Sequence, residues 1–274
     1  GGMHYTSIEN IHKVIDPLFL NDLKDELNEI KQYKQPATLK EKAEAFQEKL
    51  AKLTFFDPAC GSGNFLTETY LQLRKLENEA IKLIYPNPTL DTGQYEDIVK
   101  VSIQQFYGIE INDFAVSVAK TALWIAESQM LEETKDIFFA AKWHFLPLKT
   151  YTHIHEGNAL TMDWNDVIPN YACHYIMGNP PFIGARIMGA QQKDDLKNVC
   201  GKIKGIGNLD YVSGWYFKAA EYIQNTKIKV CFVSTNSITQ GEQVPILWKH
   251  LMDDFNIVIN FAYRTFVWNS EAKD

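Results

Sequence analysis

The stretch that most constrains the fold of this chain covers residues 53–84. Leu53-Thr54-Phe55-Phe56-Asp57 is an apolar run ending in an acid, and it passes directly into Pro58-Ala59-Cys60-Gly61-Ser62-Gly63-Asn64. A helical pattern follows, with Phe65, Leu66, Tyr70, Leu73, Leu76, Ala80, Ile81 and Ile84 recurring at the period of one buried face. Strand, glycine turn and helix in that order open a nucleotide-binding α/β unit, in which glycines let a ligand approach the backbone at the helix N-terminus. A lone pair of glycines is a weak signal, so the test is an acid at the end of the next strand. Gln105-Phe106-Tyr107-Gly108-Ile109-Glu110 supplies one, and a carboxylate there can accept both hydroxyls of a ribose.

The dinucleotide form of this unit calls for a third glycine opening the helix and an acid only about 20 residues on. Here Phe65-Leu66 fill the helix start, and residues 85–101, with Pro86, Pro88 and Gly93, read as an insertion before the second strand. A nucleoside without a pyrophosphate fits better. S-adenosylmethionine is the obvious candidate, with its ribose on Glu110 and its amino-acid moiety over the glycine turn.

The rest of the chain reads as the continuation of a mostly parallel sheet. Further strands are expected at 152–156, 173–178, 229–235 and 256–263, and helices after Asp113 and over 209–223 and 242–254. Ahead of the glycine turn lie amphipathic helices at 8–20, 22–33 and 39–50. Ser7 is a good N-cap for the first, which Pro17 must end or kink. These helices are laid on something larger, giving an N-terminal helical segment at 1–50 and a catalytic domain at 51–274. A sheet of this kind closes with one more strand, so the chain is expected to be truncated before its last strand. Residues 184–207, rich in glycine and lysine, read as a long flexible loop. His153 and His155 share one strand face without a third ligand nearby, which favours ordinary surface histidines over a metal.

A second unusual stretch is Asn179-Pro180-Pro181-Phe182, directly after the apolar run Tyr175-Ile176-Met177-Gly178. Two prolines remove two backbone donors and fix φ, so neither helix nor ladder continues and a rigid turn remains. One side-chain amide oxygen, outward carbonyls and a flat ring suit a planar amine: acceptors for its N–H donors and a face for stacking. A plain proline-rich loop is the alternative.

Charge bounds the choice of partner. The 274 residues carry a formal net charge of −7, which argues against a whole-surface nucleic-acid binder. A local basic face remains open, because Arg186, Lys193, Lys197, Lys202 and Lys204 gather after the proline turn. No apolar run reaches the roughly 20 residues of a membrane span, and the start lacks a signal-peptide pattern, so a cytoplasmic location is expected. Cys60, Cys173, Cys200 and Cys231 are scattered without metal-binding spacing, and reduced, mostly buried thiols are expected with no metal site.

Together these motifs resemble those of the N6-adenine DNA methyltransferases of the gamma arrangement, whose target recognition part is C-terminal. The residues 57–66 look like their cofactor loop and Gly108-Ile109-Glu110-Ile111-Asn112 like their ribose motif. Gly157-Asn158-Ala159-Leu160 is similar to the adenine-contact motif and Asn179-Pro180-Pro181-Phe182 to the catalytic motif. His4-Tyr5-Thr6-Ser7, placed ahead of the glycine turn, resembles the tenth motif that closes the cofactor pocket and sets the gamma order. More narrowly, that opening, the charged helical spacer and Phe261-Ala262-Tyr263-Arg264-Thr265-Phe266 resemble the large type IIL restriction-modification enzymes, which fuse nuclease, spacer, methyltransferase and recognition domains.

The resemblance implies a class I adenosylmethionine-dependent methyltransferase fold, α/β and Rossmann-like, with helices on both faces of the sheet. It assigns catalysis to Asn179, Pro180, Pro181 and Phe182. Cofactor binding falls to Tyr5, Thr6, Asp57, Ala59, Cys60, Gly61, Gly63, Asn64, Phe65, Glu110, Ile111, Asn158, Ala159, Asn179 and, on a looser match, Trp215. Double-stranded DNA is the expected partner, met by Arg186, Lys202, Lys204, Phe266 and Trp268, with a recognition domain and a nuclease elsewhere in the same polypeptide. Methyltransferases of RNA guanine or protein glutamine share the Asn-Pro-Pro-aromatic turn and are the alternative enzyme class. A cofactor-binding fragment without turnover is the non-enzyme alternative.

Overall fold

The computed structural model describes residues 6–87, 98–138, 151, 153–201 and 203–263. Its frame is a five-stranded sheet of β1 (Phe55–Asp57), β2 (Phe106–Glu110), β3 (Ile154–Glu156), β4 (Tyr175–Gly178) and β5 (Lys229–Phe232). The order is β3-β2-β1-β4-β5, and every pairing is parallel. Phe55 sits opposite both Phe106 and Tyr175. Its ring stacks on theirs at 5.3 and 5.5 Å between centroids, so one aromatic ladder crosses the three central strands.

Because strand side chains alternate, consecutive residues enter different cores. Phe55, Phe106, Ile154 and Met177 join the core on one face, and Phe56, Ile109 and Ile176 the core on the other. The first face is covered by α1 (Ile8–Ile15), α2 (Asn21–Ile30), α3 (Pro36–Lys52), α4 (Asn64–Ile84) and α5 (Asp113–Ile137). The second is covered by α6 (Ala190–Cys200), α7 (Ser213–Tyr222) and α8 (Gln243–Asp253). A sheet buried on both faces explains why its strands read as near-continuous apolar runs.

The N-terminal helices are fastened as well as packed. Gln47 donates to Glu77 at 2.8 Å and to the Ile98 carbonyl at 2.7 Å, and Gln105 donates to the carbonyls of Leu50 and Leu53 at 2.8 and 2.6 Å. Glu77 is fully buried and pairs with the equally buried Arg74. Pro17 neither ends nor breaks the helical run. Residues Asp16–Leu20 widen to a π-turn, closed by the Asn21 N–H on the Asp16 carbonyl, and α2 continues from it. One wide turn absorbs the missing proline donor.

Two further expectations are corrected. The stretch 184–207 is not one flexible loop, because it contains α6. Gly189 and Gly201 there are helix punctuation: the Gly189 N–H is met by Gln192 at 2.9 Å, and Gly201 ends the helix at φ 63°. No strand forms over the described part of the chain beyond α8, which includes 256–263. Ile257 gives its N–H to the Leu251 carbonyl at 3.0 Å, so a donor that a ladder needs caps the preceding helix. Val258 and Ile259 are left exposed.

Candidate active site

Strand order reverses around β1, whose neighbours are β2 and β4. Ligands of open α/β sheets bind outside the carboxyl ends of the strands at such a point. The turns after β1 and β4 are the two singled out from the sequence.

The turn after β1 is closed on itself and on β2. The Cys60 N–H reaches the Ile109 carbonyl of β2 at 3.0 Å, and the Gly63 N–H returns to the Cys60 carbonyl at 2.8 Å. Gly61 and Gly63 hold φ of 54° and 84°, the left-handed region that glycine enters without strain. A Cβ on Gly63 would lie 3.0 Å from that of Ala119, so this glycine also lets α5 approach. A Cβ on Gly61 would meet nothing within 4 Å, which leaves its face open to a ligand. From below, Trp215 of α7 donates its indole N–H to the Pro58 carbonyl at 3.1 Å.

Two acidic side chains frame this turn. Glu110 accepts from the Gly61 N–H at 2.9 Å on one oxygen and from the Asn112 N–H at 3.0 Å on the other. It is fixed in direction while each oxygen keeps a lone pair. Asp57, at 1% exposure, accepts the Ala59 N–H at 3.0 Å. Burial pushes its carboxyl up to about 8, the Ala59 bond opposes that rise, and Glu110 adds to it. Gly178 is where β4 passes this acid, since a Cβ there would fall 2.4 Å from an Asp57 oxygen.

The turn after β4 is built differently. The Asn179 amide nitrogen donates to the Thr6 hydroxyl at 3.4 Å, bringing residues 173 positions apart together. Its side-chain oxygen is buried without a hydrogen-bond partner among the described residues. Pro180 is buried, Pro181 is exposed, and Phe182 is 41% exposed. Asp210 braces the exit by accepting the Ile183 N–H at 2.9 Å and the Val212 N–H at 3.1 Å.

The other expected residues divide between surface and interior. Ile111 is 68% exposed beside Glu110, and Asn64 begins α4 and accepts from the Ser62 hydroxyl at 3.4 Å. Phe65, Cys60, Ala159 and Trp215 are buried side chains, which leaves their backbone or their bracing of the turn as their contribution. Burial raises the Cys60 thiol well above its ordinary value. Asn158 is half-buried with both ends of its amide engaged, to Asp195 at 2.8 Å and the Leu160 N–H at 3.0 Å. Arg186 and Lys204 are exposed beyond the proline turn, as are Lys193 and Lys197 on α6. Tyr5, Lys202, Phe266 and Trp268 lie outside the described residues. His153 stacks on Tyr107 at 4.5 Å, and burial lowers its imidazole. No helix among the described residues is long and apolar enough to cross a membrane, and no group of three His, Cys, Asp or Glu among them is placed to hold a metal.

Sequence reasoning missed Asp195 and Asp210, both buried. Asp210 carried a readable signal, an acid just before a helix start. Asp195 carried none, because a polar stretch read as loop hides the inward side of α6.

A parallel β3-β2-β1-β4-β5 sheet with a glycine turn after β1, an acid ending β2 and a proline turn after β4 is an α/β methyltransferase fold. The family model described as MmeI, DNA-methyltransferase domain, matches residues 31–274. DNA methyltransferase A of Bacillus subtilis (strain 168) is 45% identical over 276 residues, covering 100% of this chain and 30% of that protein. The structure of the type IIL restriction-modification enzyme MmeI in complex with DNA is matched at 46% identity and a TM-score of 0.92, covering 99% of this chain and 35% of that one. A putative type II restriction enzyme and methyltransferase of Methanocaldococcus jannaschii is 30% identical over 122 residues, 44% of this chain and 10% of the relative. The chain belongs to the MmeI DNA-methyltransferase domain family. It spans about a third of the length of the MmeI and Bacillus relatives.

Proposed function

We propose that this chain transfers a methyl group from S-adenosylmethionine to the N6 amine of an adenine flipped out of duplex DNA. The observation that carries this reading is the Asn179 oxygen, a buried acceptor with no partner among the described residues, at the sheet edge where a ligand is expected. Leaving such an atom unmet costs about 1–3 kcal/mol, so it is a feature in want of a donor.

The residues present suit the cofactor. Its ammonium and sulfonium charges fit a turn faced by the Glu110 carboxylate, where a pyrophosphate would be repelled, and the mostly protonated Asp57 adds no charge of its own there. Glu110 would hold the ribose hydroxyls with its free lone pairs, and the open face of Gly61 would admit the amino-acid end. Asn158 and Ile111 would meet the adenine, and Thr6, with Tyr5, would close the pocket. When bound, the cofactor supplies an electrophilic methyl group.

Asn179 and the Pro180 carbonyl accept the two N–H bonds of the target amine, drawing its lone pair out of conjugation with the ring. Phe182 stacks on the base, helping to offset the few kcal/mol of unstacking. No general base is needed for the attack: an amide is not basic, and the proton leaves after the nitrogen has become cationic. Catalysis rests on positioning and preorganised acceptors. Arg186 and Lys204, with Lys202, Phe266 and Trp268, would meet the DNA. Residues 1–50 serve as a helical segment carrying the pocket-closing motif and 51–274 as the catalytic domain, with target recognition and cleavage in other parts of the parent polypeptide. Work on chromosomal DNA implies a cytoplasmic protein.

The test is methyl incorporation from labelled adenosylmethionine into DNA, RNA and protein side by side, followed by base analysis. N6-methyladenine in DNA is the expected product. Label confined to RNA or protein would overturn the reading.

A further inference from the structure

Among the buried acids that the mechanism leaves unused, one touches a residue assigned to the cofactor. Asp195, on α6, is 2% exposed, and its carboxylate receives three neutral donors. They are the Asn158 amide nitrogen at 2.8 Å and the Tyr211 hydroxyl at 3.1 Å on one oxygen, and the Gln191 amide nitrogen at 2.9 Å on the other. We propose that Asp195 is a positioning residue for cofactor recognition: it locks the Asn158 amide in one orientation, so that the pocket selects an adenine over a deaminated ring. The inference rests on the adenosylmethionine reading.

An asparagine amide carries a donor and an acceptor that exchange places on a half-turn of the side chain. A carboxylate only accepts, so the atom facing Asp195 must be nitrogen. The Leu160 N–H only donates, at 3.0 Å, so the atom facing it must be oxygen. Turning the amide over would set oxygen against carboxylate and nitrogen against N–H, two repulsions replacing two bonds.

The spare N–H and spare lone pair of Asn158 are therefore fixed at the carboxyl edge of β3. Gly157, just before it, donates to the Glu110 carbonyl at 2.9 Å, which brings this edge beside the ribose acid. Adenine presents an amine donor next to a ring-nitrogen acceptor, and hypoxanthine presents the inverse pair. A locked amide matches one of these patterns, whereas a free one turns to match either. Asp195 follows the catalytic turn in the chain and shares α6 with the exposed Lys193 and Lys197.

Calorimetric titration with S-adenosylhomocysteine and its hypoxanthine analogue tests the proposal. The unmodified protein is expected to prefer the adenine form by roughly tenfold or more, as sites built around a hydrogen-bond pattern do. Asp195→Asn, whose carboxamide can face Asn158 with either atom, leaves only the Leu160 N–H opposing a turned amide and should narrow the preference at least about threefold. Tyr211→Phe, which spares the lock, should keep the preference. If Asp195→Asn weakens both ligands in proportion, the acid is merely structural and the inference is overturned. Should that variant melt too low to titrate, Asp195→Ser decides, since its hydroxyl either donates or accepts: a narrowed preference supports the inference, an unchanged one overturns it. An unmodified protein that bound neither ligand would overturn the cofactor reading and this inference with it.

Discussion

The turn after β1 and the turn after β4 lie side by side on one sheet edge and are built on opposite plans. In the first, the backbone is closed on itself and on β2, and its framing acids are met by Gly61, Asn112 and Ala59. In the second, two prolines remove donors, one amide oxygen has no partner among the described residues, and a phenylalanine ring stands in solvent. A satisfied turn is a shape waiting for a complementary molecule. A turn with an unmet acceptor is an electrostatic demand that a substrate amine answers as its charge develops. On the proposed reading, binding and chemistry are separated along the sheet edge by the width of one strand pair.

Substitutions can break that separation. Asn179→Ala should lower the rate of methyl transfer by about 100- to 1,000-fold, the usual loss on removing one preorganised polar group, while cofactor affinity changes little. A large loss of cofactor binding in that variant would mean that the β4 turn also builds the pocket. Glu110→Ala should do the reverse: cofactor affinity falls about 10- to 100-fold, as expected for lost hydrogen bonds to a charged group, and the rate at saturation holds. Unchanged affinity by calorimetry would remove Glu110 from the ribose role.

Gly178→Ala probes the seam between the turns. Its Cβ would lie 2.4 Å from Asp57, and overpacking of that kind costs about 1–3 kcal/mol. A lowered melting temperature with loss of both binding and turnover is expected; an unaltered melting curve would show that the seam yields.

A further test is a pH dependence. The Asp57 carboxyl titrates near its usual 3.8 in the unfolded chain and at about 8 in the fold. Between these values the fold keeps a proton that the unfolded chain has released, so this group makes stability decline as pH rises from about 4 to about 8 and level off above. Asp57→Asn should flatten that slope, read as melting temperatures at pH 5 and pH 8.

Legibility in the sequence followed the same divide. Residues 53–66 declared strand, turn and helix because buried strands, left-handed glycines and a long helical face each leave a local mark. Glu110 was found because the unit demands an acid at that place. Asn179 was found by its prolines, and Thr6 only by resemblance, since nothing local announces a contact across 173 positions. α6 went unread because only Leu196 and Cys200 of its apolar residues are fully buried, while its capping glycines imitate a loop. The π-turn at Pro17 is a tertiary outcome, in which α1 and α2 stay on one core by widening a single turn.

Phe55 and Phe56 feed opposite cores, and β1 has only one more residue before the glycine turn. In genetic terms, this segment should forgive a changed codon more readily than a codon gained or lost. A missense change at Phe55 wounds one core. An inserted or deleted residue would exchange the two faces, presenting each ring to the wrong side and carrying Asp57 and the glycines out of step with Glu110.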